Sequence, residues 1–490
     1  MELYWKALPV VIILTGHIPR IEGSVTGILL RVFGYALLGL NVTLADPFAD
    51  LLLVLTIIIG AITTTYTVHY SRLKYNNLNL VPAVDLFAVS MILVFASKSL
   101  IELITFWLLT ELVGFFLIAY DYITARSGPA LSAAVKYLLF SMIPTDISLF
   151  IILALTGFTE AFEVGLKALS LALSHPLISF MVIMGFFAKA AIFPLHFWLP
   201  DAHSVAPSPA SALLSGLMVK MGVYALYLMS HYPLNVDVVV TAMIVSGGFT
   251  VVYGALQAIV QGDIKRLLAY STTSNTALIV LLLGLYMYSK DALFLEASLL
   301  YTLTHGVYKA SLFLDSGFIE TLTHERNVKN LGYIAKISPF ETTTVILSVL
   351  VMFGLPPSVG FLAKVFLFSS ISKYLEKSWI YFLALLIAST KVFLSVIYNV
   401  TYLKAHMNSG SGEATEINAK ALTMQPYVFT TVSVSFVLTF VLLLLSYSNY
   451  VEFILLRKIT PVLLASLALF TFILFFAIGL LKRGPIREER

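Results

Sequence analysis

The chain has 490 residues, 59% hydrophobic and 11% charged, with a mean hydropathy of +0.94; that mixture exceeds what a soluble domain carries and identifies a polytopic membrane protein. A formal charge of +4, with the basic residues scattered through loops, gives no support for nucleic-acid binding. The absence of cysteine excludes disulfides, thiolate-held iron–sulfur clusters and Cys-ligated metals from this polypeptide.

Because a helix needs about 20 mostly apolar residues to cross the hydrocarbon, the chain has room for about 14 or 15 spans and no large soluble domain. Apolar runs between polar or Gly/Pro breaks predict helices near 5–17, 24–42, 48–70, 80–98, 100–124, 131–156 and 176–199. They continue near 207–230, 236–260, 266–288, 291–319, 340–372, 379–405, 424–447 and 453–481. An all-α architecture follows. The first apolar run lacks a basic flank and a small-residue cleavage site, so no cleavable signal peptide is expected.

Lys and Arg near span ends collect on the cytoplasmic side of a membrane. Here Arg20, Arg72, Lys74, Arg126, Lys265, Arg266, Arg326 and Lys404 follow odd-numbered spans, whereas connections after even spans hold Asp46, Asp50, Glu160, Glu163 and Asp237. Arg457 and Lys458 are exceptions. This distribution predicts an external N-terminus and a cytoplasmic C-terminus in the cell membrane.

Two spans are interrupted beside a lysine. Phe193-Pro194-Leu195 follows Lys189, and Gly354-Leu355-Pro356-Pro357-Ser358-Val359-Gly360 precedes Lys364. Discontinuous helices at membrane depth are tolerated where they line a cavity, and a matched pair in two halves points to a transport site. Proline kinks, common in large bundles, are an equally simple explanation.

Seven ionisable residues lie within apolar spans: Glu111, Asp146, Lys189, Lys220, His305, Lys309 and Lys364. A charge at the bilayer centre costs roughly 2.5–3.5 kcal/mol on insertion scales, so such residues usually line an ion or proton path. Glu111 sits mid-span in Phe106-Trp107-Leu108-Leu109-Thr110-Glu111, and Lys189 lies at comparable depth in Gly185-Phe186-Phe187-Ala188-Lys189. If their helices touch, separating them changes the proton affinity of both, which links motion to protonation. A static pair that fixes helix register is the alternative. Lys220 and Lys364 extend the series as buried lysines able to carry a proton, unless Lys364 snorkels from the break. His305 and Lys309 are four apart and share a helical face, with Gly306 leaving space between them. Asp146 follows Pro144 and is placed to bridge to a lysine.

The stretch Phe193-Pro194-Leu195-His196-Phe197-Trp198-Leu199-Pro200-Asp201-Ala202-His203-Ser204-Val205-Ala206-Pro207 resembles the signature of the antiporter-like membrane subunits of respiratory complex I, membrane-bound hydrogenases and Mrp-type cation/proton antiporters. Asp263-Ile264-Lys265-Arg266-Leu267-Leu268-Ala269-Tyr270-Ser271 and Thr304-His305-Gly306-Val307-Tyr308-Lys309-Ala310 resemble further motifs of that family, and the likeness covers about residues 80–405. It implies two inverted five-helix repeats, broken helices 7 and 12, and a hydrated polar axis along the membrane plane. The units expected are 1–79 (N-terminal helices), 80–230 and 231–405 (the two half-channels) and 406–490 (C-terminal helices). By motif, Glu111 and Lys189 match the coupled pair of helices 5 and 7, Lys220 the central lysine of helix 8, His305 and Lys309 the relay of helix 11, and Lys364 the terminal site of helix 12. Asp146 resembles a helix-6 acid found in part of the family. The last span, 453–481, and the lack of a long lateral helix depart from the family pattern.

The expectation is an H⁺ or Na⁺ translocating subunit of a respiratory-type redox complex, or of a stand-alone Mrp-type Na⁺/H⁺ antiporter. No cofactor is expected in this chain, while iron–sulfur or nickel–iron centres belong to partner subunits. Sister antiporter-like subunits, a peripheral redox arm and the lipid bilayer are the expected partners. A haem protein ligated by intramembrane histidines and a purely structural role are the competing readings.

Overall fold

A computed structural model describes residues 2–41, 46–157, 161, 175–231, 235–407 and 417–447. Among them the chain is helical, and eight helices are long and apolar enough to cross a membrane. This is an all-α, multi-pass membrane protein. The N-terminal helices are α1 (Glu2–Thr15), α2 (Val25–Leu38), α3 (Pro47–Tyr75), α4 (Leu80–Phe95) and α5 (Leu100–Ile118). They are followed by α6 (Gly128–Thr156), α7 (Pro176–Lys189), α8 (Ser208–Met229), α9 (Val236–Ile259), α10 (Ile264–Ser289) and α11 (Ala292–Thr323). The C-terminal helices are α12 (Pro339–Phe353), α13 (Val359–Ser372), α14 (Trp379–Met407) and α15 (Gln425–Tyr447).

Local chemistry sets these boundaries. Asp46, Ser99, Asn235, Asp263, Asp291 and Ser338 each accept a first-turn backbone N–H, the capping that fixes a helix start. Asn76 and Gly354 end α3 and α12 in left-handed conformations.

Every span expected up to residue 447 coincides with a described helix or helix pair, whereas 453–481 lies outside the described residues. Two expected spans are cut short. The helix expected over 176–199 stops at Lys189, then turns through Ala191 (φ 55°) and a cis Phe193–Pro194 bond before a short helix at Trp198–Val205. The helix expected over 340–372 is two helices, α12 and α13, separated by a turn containing cis Pro356–Pro357.

The most apolar stretches of α8 and α10 are 100% and 94% buried, against 28% for α6 and 33% for α14, so α8 and α10 lie at the centre of the bundle, screened from lipid by the other helices. Helix α11 runs through that centre against α3, α8, α10, α12, α13 and α15. Polar side chains on α8, α10 and α11 therefore face protein.

Candidate functional site: a chain of buried acids and bases

Three helices build the first centre. Lys189, in the last turn of α7, sets its Nζ 2.9 Å from Glu111 Oε1 on α5, and both side chains are fully buried. Trp107, one turn before Glu111, donates its indole N–H to the same oxygen at 3.1 Å. Lys189 also donates to the Tyr137 hydroxyl of α6 at 3.1 Å and lies over the Tyr137 and Trp107 rings, 5.3 and 5.9 Å from their centroids. Asp146, half-buried on α6, comes within hydrogen-bonding reach of Glu111. Neither Glu111 Oε2 nor Asp146 Oδ1 has a donor among the described residues. The centre thus gathers one ammonium and two carboxyls.

The second centre lies on α8, α10 and α11 and contains bases without acids. In α6 and α8 the helix widens into a π turn, at Leu138–Met142 and Leu214–Met218, a feature common at functional sites. Lys220, just past the second, donates to the Ser215 carbonyl at 2.5 Å. Lys309 on α11 donates to the Leu268 carbonyl at 2.8 Å and to the Ser271 hydroxyl of α10. His305, one turn before Lys309, is fully buried, packs edge-on against Tyr308 and has no partner on either ring nitrogen among the described residues. Lys220 and Lys309 lie within reach of each other's charge, and His305 is within reach of both. No carboxylate pairs with these three among the described residues. Neighbouring buried bases cannot all be charged at once, so a proton on one lowers the affinity of the others.

Between the centres, the Tyr137 hydroxyl that accepts from Lys189 also faces Met218 Sδ at 3.6 Å. Met218 closes the π turn two residues before Lys220. The third centre starts at Lys364, half-buried on α13, which reaches back over the break to donate to the Phe353 carbonyl at 2.6 Å. A cation there is favoured by the negative end of the α12 dipole.

Lys364 makes no contact with Lys309 or His305 among the described residues. The residue between them is Lys391 on α14, buried, 5.3 Å from the Tyr301 ring centroid and within electrostatic reach of His305, Lys309 and Lys364. Lys391 is absent from the seven residues expected, although the same criterion, a charge inside an apolar run, picks it out of Ala388-Ser389-Thr390-Lys391-Val392.

His203 is a second addition. It stacks on Phe313 at 4.6 Å, is fully buried, has both ring nitrogens unpartnered among the described residues, and lies within reach of Lys220, Lys265 and Lys309. Lys265 and Lys74 hold the two oxygens of Glu320 at 2.8 Å each. Nearby, Asp201 pairs with Lys136 (2.5 Å) and Arg266 (3.1 Å), and Asp263 with Arg326 (3.0 Å). The two long sequence motifs thus meet in one polar cluster at the ends of α10 and α11. Among the described residues no three His, Asp or Glu side chains form a metal-binding group.

The sequence profile described as "NADH:quinone oxidoreductase/Mrp antiporter, TM" matches residues 97–395. A probable K⁺/H⁺ antiporter A/B subunit of Rhizobium meliloti is 33% identical over 339 residues, 68% of this chain and 33% of that protein. NADH-quinone oxidoreductase subunit N of Desulforudis audaxviator is 29% identical over 334 residues, 64% of this chain and 63% of its own length. The matched region thus spans between a third and just under two thirds of these curated relatives. Two solved structures share the fold. The Mrp complex of Dietzia sp. DQ12-45-1b aligns with a TM-score of 0.63 at 23% identity, covering 91% of this chain and 53% of that one. The archaeal membrane-bound sulfane sulfur reductase aligns at 0.68 and 18% identity, covering 89% and 97%.

Proposed function

The chain belongs to this NADH:quinone oxidoreductase/Mrp antiporter transmembrane family, and from that premise we propose that it is an ion-translocating, antiporter-like subunit of a larger membrane complex. Protons move along the buried series Glu111, Asp146, Lys189, Lys220, His305, Lys309, Lys391 and Lys364. The observation that carries this reading is the contrast between centres. Lys189 is neutralised by a carboxylate, whereas Lys220, Lys309 and Lys391 have only neutral partners among the described residues. Drawing Glu111 away from Lys189 leaves an ammonium unpaired in a low-dielectric interior, which drives its proton onward. The base cluster then accepts one proton only by passing another towards Lys364.

Two half-channels, over 80–230 and 231–405, each contain a helix broken beside a lysine, α7 at Lys189 and α12/α13 at Lys364. The Lys/Arg distribution supports the side bearing Arg72, Lys265, Arg266 and Arg326 as cytoplasmic. Sister antiporter-like subunits and a peripheral redox arm carrying iron–sulfur or nickel–iron centres are the partners in a respiratory assembly. The relatives named as K⁺/H⁺ and Na⁺/H⁺ antiporter subunits favour a second reading, a cation/proton antiporter without a redox arm.

Reconstituting the complex purified with its native partners separates the two. Lumenal pH changes driven by an electron donor support the redox assembly, and pH changes driven only by a Na⁺ or K⁺ gradient support the antiporter. No proton movement under either drive refutes both.

A further inference from the structure

A second pair of buried acids lies apart from this series. Asp315 on α11 and Glu341 in the first turn of α12 are both fully buried, and their carboxyl groups come within hydrogen-bonding reach of each other. Asp315 Oδ2 accepts from the Tyr402 hydroxyl at 2.6 Å and from His406 Nε2 at 3.1 Å, both on α14. Asp315 Oδ1 and both Glu341 oxygens have no donor among the described residues, and no Lys or Arg pairs with either acid there. From α3, Tyr66 faces both acids and donates to the Leu314 carbonyl at 2.7 Å; Glu320 stands further along α11 and also faces Tyr66. Lys309, six residues before Asp315, is bonded to α10 instead.

Two ionised carboxylates in contact in a dry interior repel, and neither offers the other a donor. One proton between them removes the repulsion and satisfies one oxygen on each. We propose that Asp315 and Glu341 form a proton-binding site, separate from the Glu111-to-Lys364 series, in which one proton is shared between the two carboxyls and His406 with Tyr402 holds the outer oxygen of Asp315. The site goes beyond the translocation reading, since its geometry stands whether or not the lysine series conducts.

The test is infrared difference spectroscopy of the purified complex between acid and alkaline pH, in H₂O and D₂O. The wild type should show a protonated-carboxyl C=O band, shifted in D₂O, that persists in Glu111→Gln. The same band should be lost in Glu341→Gln and in Asp315→Asn alike, because either substitution removes the shared proton. Glutamine can still donate to Asp315, so Glu341→Gln keeps the contact and its fold is checked by circular dichroism. If Asp315→Asn fails to fold, Glu341→Gln decides alone. Persistence of the band in a folded Glu341→Gln protein overturns the proposal. So does its disappearance from the wild type when Na⁺ or K⁺ is added at fixed pH, which would make the pair a cation site.

Discussion

Lys189 and Lys220 are buried and Lys364 half-buried, and their partners differ: a carboxylate, a π-turn carbonyl and the last carbonyl of a broken helix. Only the first pairing cancels charge. Removing one member of a buried ion pair costs about 3–5 kcal/mol, because the survivor is left charged and unpaired. Glu111→Gln and Lys189→Met should therefore each lower the stability of the purified protein by that order, and the double variant by less than their sum; thermal unfolding of the four proteins measures it, and additive losses would mean the pair is not coupled. Lys220→Ala removes a base with no acid partner, so it should lower proton transport far more than stability. Lys391→Ala should lower transport as much as Lys220→Ala if the series runs through α14, and leave it unchanged if Lys309 passes protons to Lys364 directly. A charge within an apolar run made the ionisable groups legible from sequence. Glu111 was anticipated as the partner of Lys189, but the other partners were not legible, because Ser215 and Phe353 contribute backbone carbonyls that every residue carries and Tyr137 a single hydroxyl among many.

Helix breaks and close approaches set where those side chains point. Gly354 has φ +66°, and a Cβ there would meet Lys364 Cδ at 2.6 Å and the Gly360 carbonyl at 2.8 Å. Left-handed backbone costs an L-residue about 1–2 kcal/mol before any clash, so Gly354→Ala should destabilise the α12/α13 turn by at least that and displace Lys364. Slower ion transport with normal expression of the complex is the readout. Gly222 lets α8 touch α7, and a Cβ there would lie 2.6 Å from Ala190 N and 2.8 Å from the Phe186 carbonyl. Gly222→Ala should wedge the two helices apart and impair coupling between Lys189 and Lys220, which a transport assay reports as a drop at unchanged expression. Proline and glycine announced both breaks in the sequence. The π turns at Leu138–Met142 and Leu214–Met218 were not expected, although Pro144, which has no N–H to give the Phe140 carbonyl, stands just past the first.

Across the whole molecule, composition and apolar run length place the chain in the all-α membrane class, and α2, α3, α5, α9, α10, α11 and α12 each start at a side chain that caps the first turn. What spacing alone did not convey is which helices meet. The bundle centre formed by α8, α10 and α11 gathers His203, Lys220, His305 and Lys309 from segments widely separated along the chain, and only the family motifs pointed there beforehand. In the proposed function these buried groups hand a proton from one to the next. Proton uptake into vesicles reconstituted with the purified complex, comparing wild type with Lys220→Ala at matched protein content, tests it most directly. Uptake should collapse in the variant while the protein stays folded and assembled with its partners; uptake at the wild-type rate would rule out proton transfer through Lys220.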